Sequence, residues 1–203
     1  MVAINEIAEE LHKLNENIIL IYALNSTGKT RLSVAYKDLT KKNNDGNHTG
    51  VYYNAYSEDL FVWDNDEEND NADLKLTVLN SSLSKFNSFL IEDDTRIREK
   101  LALYYPKYNF ELNQYKNPEQ GIESITFFID EKSQEPIKIS RGEERIFVWC
   151  FFLALFEVDG WADQQDSHIL IDDPVSSLDE HNIFITTRSI LELIKANYPY
   201  AGP

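Results

Sequence analysis

Ala23-Leu24-Asn25-Ser26-Thr27-Gly28-Lys29-Thr30 is the stretch on which the reading of this chain turns. Before it, Ile18 to Tyr22 is an apolar run of β-favouring residues and predicts a buried strand. After it, the pattern from Gly28 to about Leu39 predicts a helix. A polar, glycine-bearing turn between a strand and a helix is the setting a phosphate-binding loop requires. Successive backbone N–H groups and the helix N-terminus would surround the phosphates. Lys29 would contact the β- and γ-phosphates, and the Thr30 hydroxyl would ligate magnesium. Asn25, Ser26, Thr27, Gly28 and Arg31 complete the candidate nucleotide-contacting set on this loop. One consensus glycine is replaced by Ala23. If that backbone, or Ser26, needs positive φ, a side chain there adds strain of about 1–3 kcal/mol.

Outward from the loop, Ile4, Ile7, Ala8, Leu11 and Leu14 fall on one helical face that Asn15-Glu16-Asn17 interrupts. Lys41 to Gly50 reads as a polar loop and Val51 to Tyr56 as a strand. Glu58 to Asp73 is rich in carboxylates, with Phe61 and Trp63 as its apolar anchors, and predicts a solvated loop. The alternation Asp64, Asp66, Glu68, Asp70 resembles a calcium loop, but Asn69 stands where the sharp-turn glycine belongs and Lys75 where the bidentate carboxylate belongs. Leu74 to Leu79 predicts a strand, and Asp93-Asp94-Thr95 heads a helix from Ile97 to Tyr104 that Pro106 stops. Tyr108 to Leu112 and Ile122 to Ile129 predict strands. Ile137 to Ile139 is an extended lead-in to a helix from about Arg141 to Glu157 that is apolar nearly all round and therefore buried.

A second motif lies far downstream. Ile169-Leu170-Ile171-Asp172-Asp173-Pro174 is an apolar strand, beginning at His168, that ends in two carboxylates. Sheets deliver such residues to their carboxyl edge, where ligands of open α/β folds bind. Asp172 would hold magnesium, and Asp173 would orient or activate an attacking water. Val175-Ser176-Ser177-Leu178-Asp179 follows, leading into an amphipathic helix from Ser177 to about Ala196 with Leu178, Ile183, Ile190, Leu191 and Ile194 as core contacts. Ser140-Arg141-Gly142-Glu143-Glu144 stands at the mouth of the buried helix. A serine and a glycine at a helix N-terminus present a hydroxyl and backbone donors to a phosphate, which can belong to a partner subunit. The same residues also spell an ordinary helix cap with a glutamate in the first turn.

Composition narrows the classes. The chain has 203 residues and a net charge of −16, which opposes nonspecific nucleic-acid binding because that affinity comes from lysine and arginine neutralising phosphates. Direct nucleic-acid contact by this chain is not expected. Cys150 is the one cysteine, so neither a disulfide framework nor a thiolate metal site is available. The longest apolar stretch, Ile146 to Phe156, is far below the roughly 20 residues needed to cross a bilayer. No charged-then-apolar signal pattern opens the chain, so a cytoplasmic protein is expected.

With phosphate loop, serine-glycine segment, acidic strand and Ser-x-Leu-Asp in that order, the sequence resembles the ABC-type ATPase superfamily. Ile169 to Asp179 together with Ile139 to Phe156 are similar to the bacterial PrrC and RloC anticodon-nuclease group used in phage defence. The resemblance covers Ile18 to about Lys195. It implies an α/β fold of the P-loop NTPase, ABC-ATPase type, with a mixed sheet flanked by helices and a small antiparallel β lobe. It further implies one domain over residues 1–203, incomplete at its C-terminus, that binds ATP and Mg2+. Lys29, Thr30, Asp172 and Asp173 of one copy would then face Ser140, Gly142, Glu143, Ser177 and Asp179 of another across ATP. That arrangement is a homodimer, or a heterodimer with a related ATPase, whose closure switches an attached nuclease effector.

Several features depart from the pattern. Many ABC-type loops carry glycine where Ser26 stands, Asp173 occupies a place often held by glutamate, and the Q-loop glutamine is missing from Asn54 to Asp59, which offers Ser57 and Glu58 instead. Neither His168 nor His181 stands where the family's switch histidine belongs. Ala23, Ser26 and the expected lack of a following C-terminal strand motivate a second expectation: a non-catalytic, truncated relative that binds and modulates a full-length ATPase or nuclease partner. A chain that itself cuts RNA is a third reading, against which stand its acidity and the lack of clustered His, Glu and Lys.

Overall fold

A computed structural model describes residues 3–14, 16, 18–24, 27–43, 50–53, 60–69, 72–79, 89–156, 168–175 and 178–197. The chain forms two compact units, Met1–Ala55 with Asp163–Pro203, and Tyr56–Ala162 between them in sequence.

In the first unit, α1 (Ile4–Lys13) packs on α2 (Lys29–Asn43). The predicted stripe is responsible: Ala8 is buried, and Ile4, Ile7 and Leu11 are half-buried beside it, whereas Leu14 lies beyond the helix and is exposed. The contacting face of α2 is polar, with Ser33, Tyr36 and Thr40 buried. Ser33 and Thr40 satisfy their hydroxyls on Thr30 and Lys37 carbonyls of the same helix. The edge of Tyr36 meets His12 of α1, whose Nε2 lies 3.3 Å from Asn43 Nδ2. α2 runs past the predicted end at Leu39.

β1 (Gly50–Tyr53) pairs in parallel with β6 (His168–Ile171), in the register Val51↔Ile169 and Tyr53↔Ile171. Parallel neighbours need a long crossover, and here the entire second unit supplies it. α5 (Glu180–Asn197) closes the unit. It begins later than Ser177, because Asp179 caps it: its Oδ1 accepts the Asn182 N–H at 2.9 Å and its carbonyl the Ile183 N–H at 2.9 Å. Leu178, Ile183, Ile190 and Ile194 are half-buried. Leu191 is 53% exposed, contrary to expectation, because one residue past Ile190 turns it about 100° off the packed face.

The predicted buried strand Ile18–Tyr22 requires correction. The run is no strand, and Leu20 and Tyr22 are 94% and 89% exposed. Strand character belongs to a pair, and among the described residues β1 takes β6 as its ladder partner.

The second unit is an antiparallel sheet in the order β2-β3-β5-β4, formed by β2 (Phe61–Asp64), β3 (Lys75–Val78), β4 (Asn109–Gln114) and β5 (Ile122–Phe128). Its core is aromatic. α4 (Arg141–Phe156) is buried continuously from Ile146 to Leu155, as its all-round apolar sequence requires. Phe147 sets its ring against Phe110 of β4 and Phe127 of β5, with centroids at 5.1 and 5.0 Å, and Phe61 of β2 meets Phe151 at 5.4 Å. Edge-to-face pairs of this kind add about 0.5–1.5 kcal/mol beyond the area they bury. α3 (Thr95–Ala102) packs on α4 through Ile97 and Leu101. β2 overturns part of the expected solvated loop over Glu58–Asp73, because alternation inside Phe61-Val62-Trp63-Asp64 buries Phe61 and exposes Val62. Among the described residues, parallel and antiparallel strands lie in separate sheets. The architecture is α/β with a small antiparallel sheet and helices.

Candidate functional site

The turn before α2 is tied by Thr27, whose N–H and hydroxyl both donate to the Leu24 carbonyl, at 3.4 and 2.6 Å. Gly28 follows at φ +102, a left-handed conformation that side chains rarely adopt. A Cβ there would also come 3.4 Å from Ile4 Cδ1 of α1. Glycine at this point is therefore favoured by the backbone, and the neighbour leaves little slack beside it. The Gly28 carbonyl accepts the Leu32 N–H at 2.9 Å, so Lys29, Thr30 and Arg31 occupy the first turn of α2, with Lys29 and Thr30 half-buried and Arg31 exposed. The N–H groups of that turn, which have no acceptor four residues back within the helix, form its positive end.

β6 brings the acidic pair to the same place. The Asp172 N–H donates to the Tyr53 carbonyl at 2.8 Å, which extends the β1–β6 ladder by one bond and fixes where the carboxylate emerges. The Thr30 hydroxyl donates to Asp172 Oδ2 at 2.9 Å, joining residues 142 positions apart. Asp173 is exposed and sits at φ +53, where aspartate is tolerated better than most residues because its short side chain bonds locally. Thr30, Asp172 and the first turn of α2 thus converge within one unit. Among the described residues, no group of three or more His, Cys, Asp or Glu is placed to hold a metal ion. A hydroxyl and one carboxylate are nonetheless the donor set magnesium accepts when phosphates and waters supply the rest.

The remaining predicted residues are distributed as follows. Ser140 is exposed at the start of α4 and makes a capping box: its N–H and hydroxyl donate to Glu143 Oε2 at 2.8 and 2.6 Å, and the Glu143 N–H points back at Ser140 Oγ at 3.4 Å. A Cβ on Gly142 would meet nothing within 4 Å. Asp179 is exposed and spends both carboxylate oxygens on Asn182. Ser140, Gly142 and Glu143 belong to the second unit, and Asp179 to the first. Asn25, Ser26, Ser177 and the segment Asn54 to Asp59 lie outside the described residues. His181 is exposed on α5.

Trp63, read from the sequence only as an apolar anchor of a loop, has a polar contact as well. Its indole Nε1 donates to Glu144 Oε2 at 2.8 Å, in the turn that carries Gly142. The period-two pattern that would have placed Trp63 on a strand was legible but hidden among carboxylates.

Comparison with known proteins gives one point of reference. An Escherichia coli protein named anticodon nuclease is 34% identical to this chain over 208 residues, which take in 88% of this chain and 52% of that protein. The chain therefore spans about half the length of the curated relative it matches. The similarity supports a relationship to that family. No family model matches the chain, and no solved structure matches it. Among the described residues no helix is long and apolar enough to cross a membrane.

Proposed function

We propose, from this relationship and the site's geometry, that the chain is an ATP-binding, ABC-type module of an anticodon-nuclease-like phage-defence protein, acting in the cytoplasm. Its output is closure against a second ATPase module, gated by nucleotide. The observation that carries the reading is the 2.9 Å bond between Thr30 and Asp172. It brings a phosphate-loop hydroxyl to the acidic end of a strand, which a surface lysine in an ordinary strand-turn-helix has no need to do.

In this reading Gly28, Lys29, Thr30 and Arg31, with Asn25, Ser26 and Thr27 before them, hold the triphosphate. Thr30 and Asp172 hold magnesium, which when bound offsets charge on the β- and γ-phosphates. Asp173 orients the attacking water. Ser140, Gly142, Glu143, Ser177 and Asp179 of a second module meet the same triphosphate from the far side. Gly142 supports this, because packing inside the chain does not demand a glycine there, whereas close approach of a phosphate from outside does. ATP then drives closure by binding the closed state more tightly than the open one, and hydrolysis removes that difference.

Isothermal titration calorimetry tests the reading. ATP should bind with magnesium and bind far more weakly with EDTA, and Lys29→Ala should abolish the heat. Unchanged binding in Lys29→Ala would sink the assignment.

A second reading, a non-catalytic relative that modulates a full-length ATPase or nuclease partner, is favoured by one feature. The apolar run Ile18–Tyr22 leads into the phosphate loop largely exposed and, among the described residues, outside any sheet. In this reading the loop is completed on another subunit. Co-purification with an intact relative in the absence of ATP would support it, and failure to form a complex under any nucleotide condition would end it.

A further inference from the structure

The lead-in to α4 is stitched to its sheet at several points. The Ile137 N–H donates to the Phe127 carbonyl of β5 at 2.8 Å. Lys138 Nζ donates to Asn65 Oδ1 at 2.7 Å while lying 5.3 Å from the centroid of the Trp63 ring. That ring packs on Phe127, with centroids 5.8 Å apart, and its N–H donates to Glu144 Oε2.

The first turn of α4 carries two carboxylates, and they have different fates. Glu143 is spent on the Ser140 cap. Glu144 is the second, and what holds it is the indole. A triphosphate arriving at the Ser140–Gly142 tip is anionic, so a carboxylate free to swing there would oppose it.

We propose that Trp63 is a positioning residue for this tip: its indole N–H draws the Glu144 carboxylate to the sheet and away from the Gly142 backbone, where a partner's triphosphate would approach, while Ser140 stays engaged by its cap with Glu143. Lys138, held over the same ring, keeps Trp63 in the orientation that aims its N–H at Glu144. The proposal rests on the reading of Ser140 and Gly142 as the surface that meets a second module's ATP.

Sedimentation of the full chain with and without MgATP tests it. Trp63→Phe keeps an aromatic ring against Phe127 and Lys138 but loses the donor. It should weaken ATP-dependent self-association roughly tenfold, the scale of a lost hydrogen bond to a charged group. Adding Glu144→Gln should restore association, since the stray charge is then gone; a role in packing alone would not be rescued this way. Glu144→Ala in the wild-type background should associate at least as tightly as wild type, a test that holds even if Trp63→Phe misfolds. Association of Trp63→Phe equal to wild type, a loss that Glu144→Gln leaves in place, or weakening by Glu144→Ala would each overturn the role. Failure of the wild-type chain to associate in MgATP would instead overturn the closure reading, and this role with it.

Discussion

Thr30 and Asp172 show what single residues contribute to the candidate site and how each is tested. Thr30→Ala removes the donor to Asp172 and one proposed magnesium ligand, and Asp172→Ala removes the other. Both should lower ATP affinity in magnesium while leaving the weak binding in EDTA nearly unchanged, which calorimetry resolves. Gly28→Ala makes a different prediction. At φ +102, with Ile4 Cδ1 3.4 Å from any added Cβ, the change should cost about 1–3 kcal/mol of stability, read from urea denaturation midpoints. At this scale much was legible: Gly28-Lys29-Thr30 opens a helix, and Asp172-Asp173 stands at a strand end, whereas the strand expected at Ile18–Tyr22 is absent. The left-handed backbone of Asp173 was not legible, since φ is set by the turn it closes. It bears on the place where glutamate is often found. The longer side chain is less tolerant of that backbone, so Asp173→Glu should destabilise the chain slightly, by about 0.5–1 kcal/mol.

Among the elements, α4 stabilises the second unit and carries the proposed partner-facing tip at its first turn. Phe147→Ala opens a void between Phe110 and Phe127 and should cost about 3–5 kcal/mol, enough to lower the denaturation midpoint sharply. Ser140→Ala removes only the cap, for which about 1 kcal/mol is expected, so any larger loss of ATP-dependent association would report on the partner's triphosphate rather than on folding. The sequence predicted α4 well because an all-round apolar helix has few places to go but a core. It predicted β3, β4 and β5 equally well from their alternation or apolar content. Ile18–Tyr22 failed for a physical reason: strand propensity describes a side chain's fit to a pleated surface, and among the described residues no strand pairs with this run to supply that surface. Phe61–Asp64 failed in the opposite direction, since counting carboxylates over a long window hid a four-residue alternation.

For the molecule as a whole, the aromatic core lies in one unit and the Thr30–Asp172 pair in the other. Cys150 reports on the core. It is wholly buried in α4, and burial pushes its thiol well above the usual range, so it should resist iodoacetamide at neutral pH and react only as the second unit opens. Rapid alkylation of the native chain, detected by mass spectrometry, would contradict that packing. The net charge of −16 belongs to the whole chain, which alone should not retard single-stranded RNA in a gel at physiological salt.

The pairing of Gly50 with His168 across the whole intervening unit carries a consequence in time. Thr30 leaves the ribosome early, but the carboxylate that receives its hydroxyl is translated only after every strand of the second unit has emerged. Hairpins can form within that unit at once, and their formation shortens the effective loop that β1 and β6 must close. A nascent chain would join Thr30 to Asp172, and so complete the proposed nucleotide site, as nearly its last act of folding, after the aromatic layer has already set.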